Sequence, residues 1–321
     1  MDKKEKYKEF AKKEKLPIFM QPYWLDSVCE DGMGWDVILY EKGGEIWGSF
    51  VYVVKKKYGL TLITMPKLTQ VLGPYIKYPK GQKYYKKLSW EKEIMNYFID
   101  NLPKFDYFNM NFHYSITNWL PFYWRVFKQT TRYTYVIDDI SNLTNIIAQF
   151  SHAKRKQIKK AERNGIIVLL NDITVDQFYK LHQQELKYEG KGDVVYSKEF
   201  LLKLFNSIKQ YNSGSFFVAK DKEENIHGAL FVIWTEYSAY DLISAFNPSY
   251  LSSGASTLLI KEVLKYIRQI GIKKFDFEGS MIEGVENSFR QFNTIQKPYF
   301  QISKINSKII QTIKCIKGII K

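Results

Sequence analysis

The chain has 321 residues, of which 45% are hydrophobic and 17% aromatic, so it is long and apolar enough for two domains with sizeable cores. This composition excludes a wholly disordered chain. The formal net charge of +15 indicates an acidic partner, such as nucleic acid, a nucleotide-linked substrate or an anionic lipid surface, without choosing among them. Cys29 and Cys315 lie far apart without a C-x-x-C spacing, which favours a reducing compartment and no disulfide framework.

The first residues, MDKKEKYKEFAKKEKL, are charged and contain no apolar core, so we predict that they are not a signal peptide. No apolar run approaches the roughly 18 residues that a membrane span requires. We therefore expect a cytoplasmic protein, and contact with a membrane surface stays open.

In the first half of the chain, the pattern predicts a hairpin, a third strand, a mostly irregular segment, a helix and a buried strand. The strands of the hairpin cover 35–40 and 45–55, and the third strand covers 60–65. The irregular segment is 66–88, the helix 90–102 and the buried strand 105–112. Ser89 is the predicted N-cap of the helix. The stretch 114–135 is aromatic-rich and receives no assignment.

The stretch SHAKRKQIKKAERNG, 151–165, predicts a short basic helix. Ser151 is suited to cap its N-terminus, and Gly165 is suited to the left-handed turn that closes it. Six basic residues surround a narrow apolar stripe of Ala153, Ile158 and Ala161. Such a helix can pack on the protein body and present its basic side to an anion, although charge runs are often merely solvated.

In the second half, strands and helices alternate around a three-stranded meander. The predicted elements are a strand at 166–170, a helix at 175–188, a mobile turn at 189–194, a helix at 198–211, strands at 216–220, 227–234 and 238–245, a helix at 255–270, and strands at 273–277 and 299–304. In the tail, 305–321, Ile305, Ile309, Ile313, Ile316 and Ile320 have helical spacing. This basic amphipathic helix either packs on the rest of the chain or lies on a membrane surface.

A weak internal duplication links the two halves. The segment EIWGSFVYVV, 45–54, matches NIHGALFVIW, 225–234, and the segment 93–108 matches 262–279. The order of elements agrees, so we predict two related α/β lobes, each an antiparallel meander followed by a strand–helix–strand crossover. The predicted boundaries are 1–145, 146–304 and 305–321, and the cleft between lobes is the expected place for a substrate.

The stretch YLSSGASTLLIKEVL, 250–264, places a polar turn between a strand and a helix. Backbone amides at a helix N-terminus favour a phosphate, and glycine permits close backbone approach. We therefore predict a donor-binding turn, with ordinary helix capping as the alternative. Its residues are Ser252, Ser253, Gly254, Ala255 and Ser256. It is neither a Walker loop nor a G-x-G-x-x-G motif.

The meander and this turn resemble the acyl-CoA-binding core of GNAT-type N-acyltransferases, whose turn has the pattern R/Q-x-x-G-x-G/A. Gly254 fits that pattern, whereas Leu251 and Ser256 depart from it. The basic helix and the segment FDFEGSMIEGVENSFRQFNTIQKPYF are similar to the Fem-type (FemABX-like) peptidyltransferases and their acetyltransferase relatives, which have twin GNAT lobes. The resemblance covers most of the chain.

This resemblance implies an acyltransferase that moves an acyl or aminoacyl group to the amine of a sugar or cell-envelope precursor. Acyl-CoA is the favoured donor, because the sequence leaves no room for the helical arm of the longer Fem-type members. Aminoacyl-tRNA stays as the other donor. The alternative from another class is a non-enzymatic protein that binds RNA or an anionic surface, which would account for the charge and the basic helix.

The reaction needs a proton acceptor, an oxyanion site and two positioned substrates. Glu278, which leaves the strand FDFEG, is the first candidate base, and Asp276 is either a second or a structural residue. Tyr240 and Ser244 are predicted on one strand face, where they would supply a proton.

Further residues are predicted to hold the substrates. Those expected to orient the acceptor or bind a phosphate or carboxylate are Glu185, Tyr188, Glu189 and Arg290, and those expected to attract a phosphate-bearing substrate are Lys156 and Lys160. The histidines have no metal-binding spacing, so we predict no metal; they are His113, His152, His182 and His227.

Overall fold

The structure is a computed structural model that describes residues 2–279 and 281–316. The chain divides into two compact units. The first comprises the residues up to Arg132 and those from Pro298 onward, and the second is Tyr133–Lys297. Both boundaries fall inside strands, whereas the sequence predicts them in the connections at 145/146 and 304/305.

The chain up to the second unit begins with two helices and continues with a strand-rich segment. Its elements are α1 (Lys3–Ala11), α2 (Pro22–Val28), β1 (Met33–Lys42), β2 (Glu45–Lys57), β3 (Leu60–Ile63), β4 (Gly73–Ile76), α3 (Tyr84–Asp100), β5 (Tyr107–Asn111), α4 (Leu120–Trp124) and β6 (Lys128–Ile137).

The remaining chain alternates helices with the meander predicted from sequence. Its elements are α5 (Leu143–Ala148), α6 (His152–Arg163), β7 (Ile167–Leu170), α7 (Val175–Tyr188), α8 (Lys198–Gln210), β8 (Gly214–Lys220), β9 (Ile226–Trp234), β10 (Ser238–Phe246), α9 (Ala255–Gln269), β11 (Lys274–Asp276), α10 (Glu283–Phe289), β12 (Ile295–Ile305) and α11 (Lys308–Ile316).

The prediction of a mostly irregular segment at 66–88 is wrong in two places. β4 pairs with β2, an interaction between distant parts of the chain that local pattern does not reveal. Helix α3 begins at Tyr84, so Ser89 lies inside it and donates its hydroxyl to the carbonyl of Tyr85 instead of capping. Two tyrosines and two lysines open this helix, three of them exposed, and they lack the apolar periodicity by which a helix is detected.

The basic helix is α6, and both predicted ends are confirmed. The Ser151 hydroxyl accepts a hydrogen bond from the amide of Lys154 at 3.2 Å, and Gly165 has φ +70°. Ile158 and Ala161 are buried as predicted, but Ala153 is exposed, and Lys154 occupies the buried stripe in its place.

The two units repeat one strand topology. In the first, β1, β2 and β3 form an antiparallel meander, α3 crosses over, β5 pairs parallel with β3, and β12 pairs antiparallel with β5. In the second, β8, β9 and β10 form the meander, α9 crosses over, β11 pairs parallel with β10, and β6 pairs antiparallel with β11. The predicted α/β duplication of meander plus crossover is therefore confirmed.

The sheet of the second unit is covered on both faces. On one face, Phe217, Leu230 and Val232 belong to a core that includes the buried sides of α6 and α9. On the other, Phe178 from α7 packs on Phe216, with ring centroids 4.6 Å apart. Consecutive residues of β8 point to opposite faces, so both cores follow from strand alternation.

The described part of the predicted C-terminal helix is α11. Ile309 is exposed there, while the side chains of Ile313 and Ile316, and all of Ile320, lie outside what the structure describes. Within 2–279 and 281–316, every helix is too short or too polar to cross a membrane.

Candidate active site

The candidate site of the second unit lies where β10 and β11 part. The two strands pair in parallel only along Ser238–Tyr240 and Lys274–Asp276, whereas β10 continues to Phe246. After β11 the chain turns away, with Glu278 at φ +59°, an uncommon conformation for a residue with a side chain. Parallel pairing therefore stops partway along β10, and polar side chains gather there.

A β-bulge at Leu242 sets which side chains of β10 meet. The register with β9 shifts between Asp241 and Ile243, so alternation is displaced by one residue. The hydroxyl of Ser244 consequently donates to Asp241 Oδ2 at 3.0 Å. The prediction that Ser244 shares a face with Tyr240 is wrong for this reason. Tyr240 is buried.

Two hydrogen bonds hold the carboxylate of Asp276 in place. Its Oδ1 accepts hydrogen bonds from the Thr134 hydroxyl and, at 2.8 Å, from the backbone amide of Glu278. Its Oδ2 is buried and has no hydrogen-bond partner among the described residues. Glu278 is half-buried, and its Oε1 is shielded from solvent.

Four carboxylates lie close enough here to influence one another, and we call Glu185, Asp241, Asp276 and Glu278 the acidic cluster. Burial raises the pKa of Asp241 to about 7 against the Ser244 hydrogen bond, and raises the pKa of Asp276 to about 6. Burial, followed by the charges of Asp276 and Asp241, holds the pKa of Glu278 well above its usual range. These carboxyl groups therefore keep their protons to a higher pH than exposed carboxyl groups do.

Helix α7 adds Glu185 to the cluster. Burial raises the pKa of Glu185 to about 7, opposed by a hydrogen bond from the amide of Phe246, and the charges of Glu189 and, to a smaller extent, Asp241 add to the rise. Tyr188 and Glu189, predicted beside it, are exposed, and Glu189 forms an ion pair with Lys191 at 2.6 Å. Of the three, only Glu185 is half-buried, and the charge of Glu189 reaches the cluster through its effect on Glu185.

The predicted donor-binding turn leads into α9, which begins after Gly254. Gly254 has φ +89°, and a Cβ there would lie 2.3 Å from the backbone oxygen of Gln157 in α6. Glycine is required by both the conformation and the close approach. Ser253, Gly254 and Ala255 are buried, Ser256 is half-buried and Ser252 is exposed.

Helix α6 reaches this turn through Lys160. Its Nζ donates to the carbonyl oxygen of Ser252 at 2.7 Å, and Glu162 forms an ion pair with Lys261 of α9 at 2.6 Å. Lys156 lies elsewhere: with Lys159 and other α6 side chains it lines an open surface depression of about 500 Å³. The structure thus brings Lys160, but not Lys156, to the turn.

Arg290 follows α10 and is exposed, with its guanidinium 2.7 Å from Asn287 Oδ1 and 3.6 Å from a carboxylate oxygen of Glu286. Both contacts are with α10, and neither joins Arg290 to the acidic cluster. Although the cluster holds four carboxylates, no group of three or more His, Cys, Asp or Glu residues in the described chain is arranged to hold a metal ion.

Sequence reasoning missed Asp241 and Lys154. Asp241 was detectable as the one charged residue in the apolar strand SAYDLISAF. Lys154 was hidden within a run of surface charges, yet it is buried, donates to Ser288 Oγ at 2.8 Å and lies 4.2 Å from the centroid of the Phe292 ring. Burial lowers the pKa of Lys154 to about 8.

Comparisons with known proteins agree with this architecture. A family model described as an acetyltransferase (GNAT) domain matches residues 148–287. The crystal structure of FemX is similar, with a TM-score of 0.73, 13% identity and 98% of both chains covered. The structure of L-PGS from Bacillus licheniformis has a TM-score of 0.56 and 10% identity, covering 97% of this chain and 95% of that one. No curated protein sequence matches the chain. The likeness to the two solved structures is one of fold.

Proposed function

We propose that this chain, a GNAT-type acyltransferase with twin lobes, transfers an acyl group from a phosphate-bearing donor to an amine. Its acetyltransferase domain is at 148–287. The observation that carries the proposal is the acidic cluster at the parting of β10 and β11. The pKa values of Asp241 and Asp276, raised to about 7 and about 6, suit proton transfer near neutral pH, and the carboxylates that are ionised there attract a protonated amine.

In this reaction the amine nitrogen attacks the carbonyl carbon of the donor thioester or ester. The new C–N bond forms as the C–S or C–O bond breaks, and the leaving group takes the electron pair. Glu278 accepts the proton that the amine loses when its carboxylate is ionised. Burial beside Asp241 and Asp276 raises the affinity of that carboxylate for a proton, and the positive charge of the incoming ammonium group favours the ionised form. Asp241 and Glu185 bind the incoming ammonium group. Asp276 holds the backbone of Glu278 in position through its amide.

The donor is an acyl-CoA, held at the turn 252–256. The turn lacks the arginine or glutamine of the GNAT pattern, since Leu251 stands there, but the Lys160 ammonium group at the carbonyl of Ser252 supplies a positive charge from α6. A pyrophosphate at the N-terminus of α9 would meet both that charge and the helix dipole. The exposed basic face of α6 also suits aminoacyl-tRNA, which is the other candidate donor.

The acceptor is an amine of a sugar or cell-envelope precursor.

The test is thiol release from acyl-CoA in the presence of candidate amines. Glu278→Gln keeps the shape of the side chain and removes the base, so we expect turnover to fall about 100-fold or more with little change in the donor Michaelis constant. Glu283→Gln, an exposed carboxylate of α10, is the matched control. Equal rates for both variants would refute the assignment of Glu278.

A non-enzymatic RNA-binding role predicts a different result. The exposed basic residues of α6 would then give a steep salt dependence of binding, without preference for charged over uncharged tRNA and without turnover of any donor. Measuring tRNA binding over a salt series beside the thiol assay separates this role from both donors.

A further inference from the structure

An exposed apolar surface lies on α4 and the turn after it, in the first unit. Its members, which we call the α4 patch, are Leu120, Tyr123, Trp124 and Val126. The helix directs Pro121 and Phe122 into the core, whereas these four side chains stay exposed, with the ring of Tyr123 5.5 Å from that of Trp119. They form no part of the acidic cluster, which belongs to the second unit.

Val126 is held in an unfavourable conformation that keeps it in solvent. Its φ is +62°, a left-handed value that β-branched residues rarely adopt, and its side chain is 78% exposed. A tight turn fixes it, because its amide donates to the carbonyl of Tyr123 at 2.9 Å. Glycine or asparagine would fit this backbone better. Neither packing nor turn geometry accounts for valine here.

Positive charge surrounds the patch. The Lys92 Nζ lies 5.0 Å from the centroid of the Trp124 ring, and Lys128 is exposed just beyond the turn. In the described chain, neither lysine forms an ion pair with a carboxylate. The positive charge of Arg125 is paired with the carboxylate of Asp100, 2.9 Å away. The balance of charge at the patch is therefore positive.

We propose that the α4 patch docks the protein on the surface of an anionic lipid bilayer. Tryptophan and tyrosine favour the headgroup level of a membrane, aliphatic side chains reach the acyl boundary, and lysines meet lipid phosphates. A single-stranded nucleic acid would stack on Tyr123 and Trp124 but would gain nothing from Leu120 and Val126. The lipid surface is therefore the partner that fits all four side chains.

Co-sedimentation of the full chain with vesicles tests the proposal. We expect binding to phosphatidylcholine vesicles that contain phosphatidylglycerol, and much weaker binding to phosphatidylcholine alone. The double variant Tyr123→Ser, Trp124→Ser should lower the partition coefficient about tenfold or more. Tyr58→Ser removes an even more exposed tyrosine from the turn between β2 and β3 and should bind like the parent. Circular dichroism checks that each variant is folded.

A second readout locates the contact. Brominated lipids quench tryptophans that enter the interface. Of the seven tryptophans, Trp124 belongs to the patch and Trp119 lies beside Tyr123, so the quenching should fall in Trp124→Phe and be lost when Trp119→Phe is added. Three results would each overturn the proposal: unaltered vesicle binding by the double variant, quenching that is undiminished in Trp124→Phe, or patch-dependent binding of single-stranded RNA with none to anionic vesicles. The acyltransferase assay is independent of all three.

Discussion

Replacing Asp241 by asparagine should stabilise the protein at alkaline pH. Burial raises the pKa of Asp241 from its ordinary value of 3.8 to about 7. The folded protein therefore holds this proton up to about pH 7, while the unfolded chain releases it near pH 4. Stability consequently falls as pH rises between these values and levels off above them.

The magnitude follows from the two pKa values. A change from 3.8 to about 7 corresponds to about 4 kcal/mol of destabilisation above pH 7, and to about 2 kcal/mol at pH 5, as upper bounds. The asparagine side chain is neutral and still accepts the hydrogen bond from Ser244. The stability gained by Asp241→Asn should therefore grow by about 2 kcal/mol from pH 5 to pH 8.

Urea unfolding followed by circular dichroism at pH 5 and pH 8 measures this difference. Glu236→Gln, an exposed carboxylate in the turn between β9 and β10, should change stability by less than about 0.5 kcal/mol at both values. If Asp241→Asn gains the same stability at both pH values, or loses stability at pH 8, the reasoning from burial fails.

Three further changes test the donor-binding turn and α6. Gly254→Ala should cost about 2 to 4 kcal/mol in urea unfolding, because its Cβ would meet the backbone oxygen of Gln157; an unchanged midpoint would contradict this. Ser151→Ala should cost about 1 kcal/mol in the same assay, since an N-cap is lost, while Ser151→Thr should restore most of it. Lys160→Met should raise the acyl-CoA Michaelis constant more than it lowers turnover, because the positive charge at Ser252 is removed; the reverse pattern would count against a donor role.

Local chemistry allowed several elements to be predicted from the sequence. The ends of α6 follow from Ser151 and Gly165, because a capping hydroxyl and a left-handed glycine act within one turn of the chain. Helix α7 was predicted with its observed limits, and its N-terminus carries a complete capping box at Thr174 and Gln177. Neither depends on distant residues.

Elements that depend on distant pairing were missed. β4 has four residues and exists through its pairing with β2. β6 pairs at Val136 and Ile137 with β11, far along the sequence, and 114–135 had received no assignment. The bulge at Leu242 likewise appears only against the register of β9, and it moved Ser244 to the side of Asp241.

The sequence by itself determined the order of elements, the duplication, the basic helix and the glycine of the turn before α9, because periodicity, capping and left-handed conformations are local properties. Only the tertiary structure decided which charged groups meet. Glu185, Asp241, Asp276 and Glu278 come from a helix, two strands and the loop after the second strand, and their raised pKa values arise from shared burial. Lys154 differs from the exposed lysines of the same helix for a similar reason: the body against which α6 packs removes one of them from water.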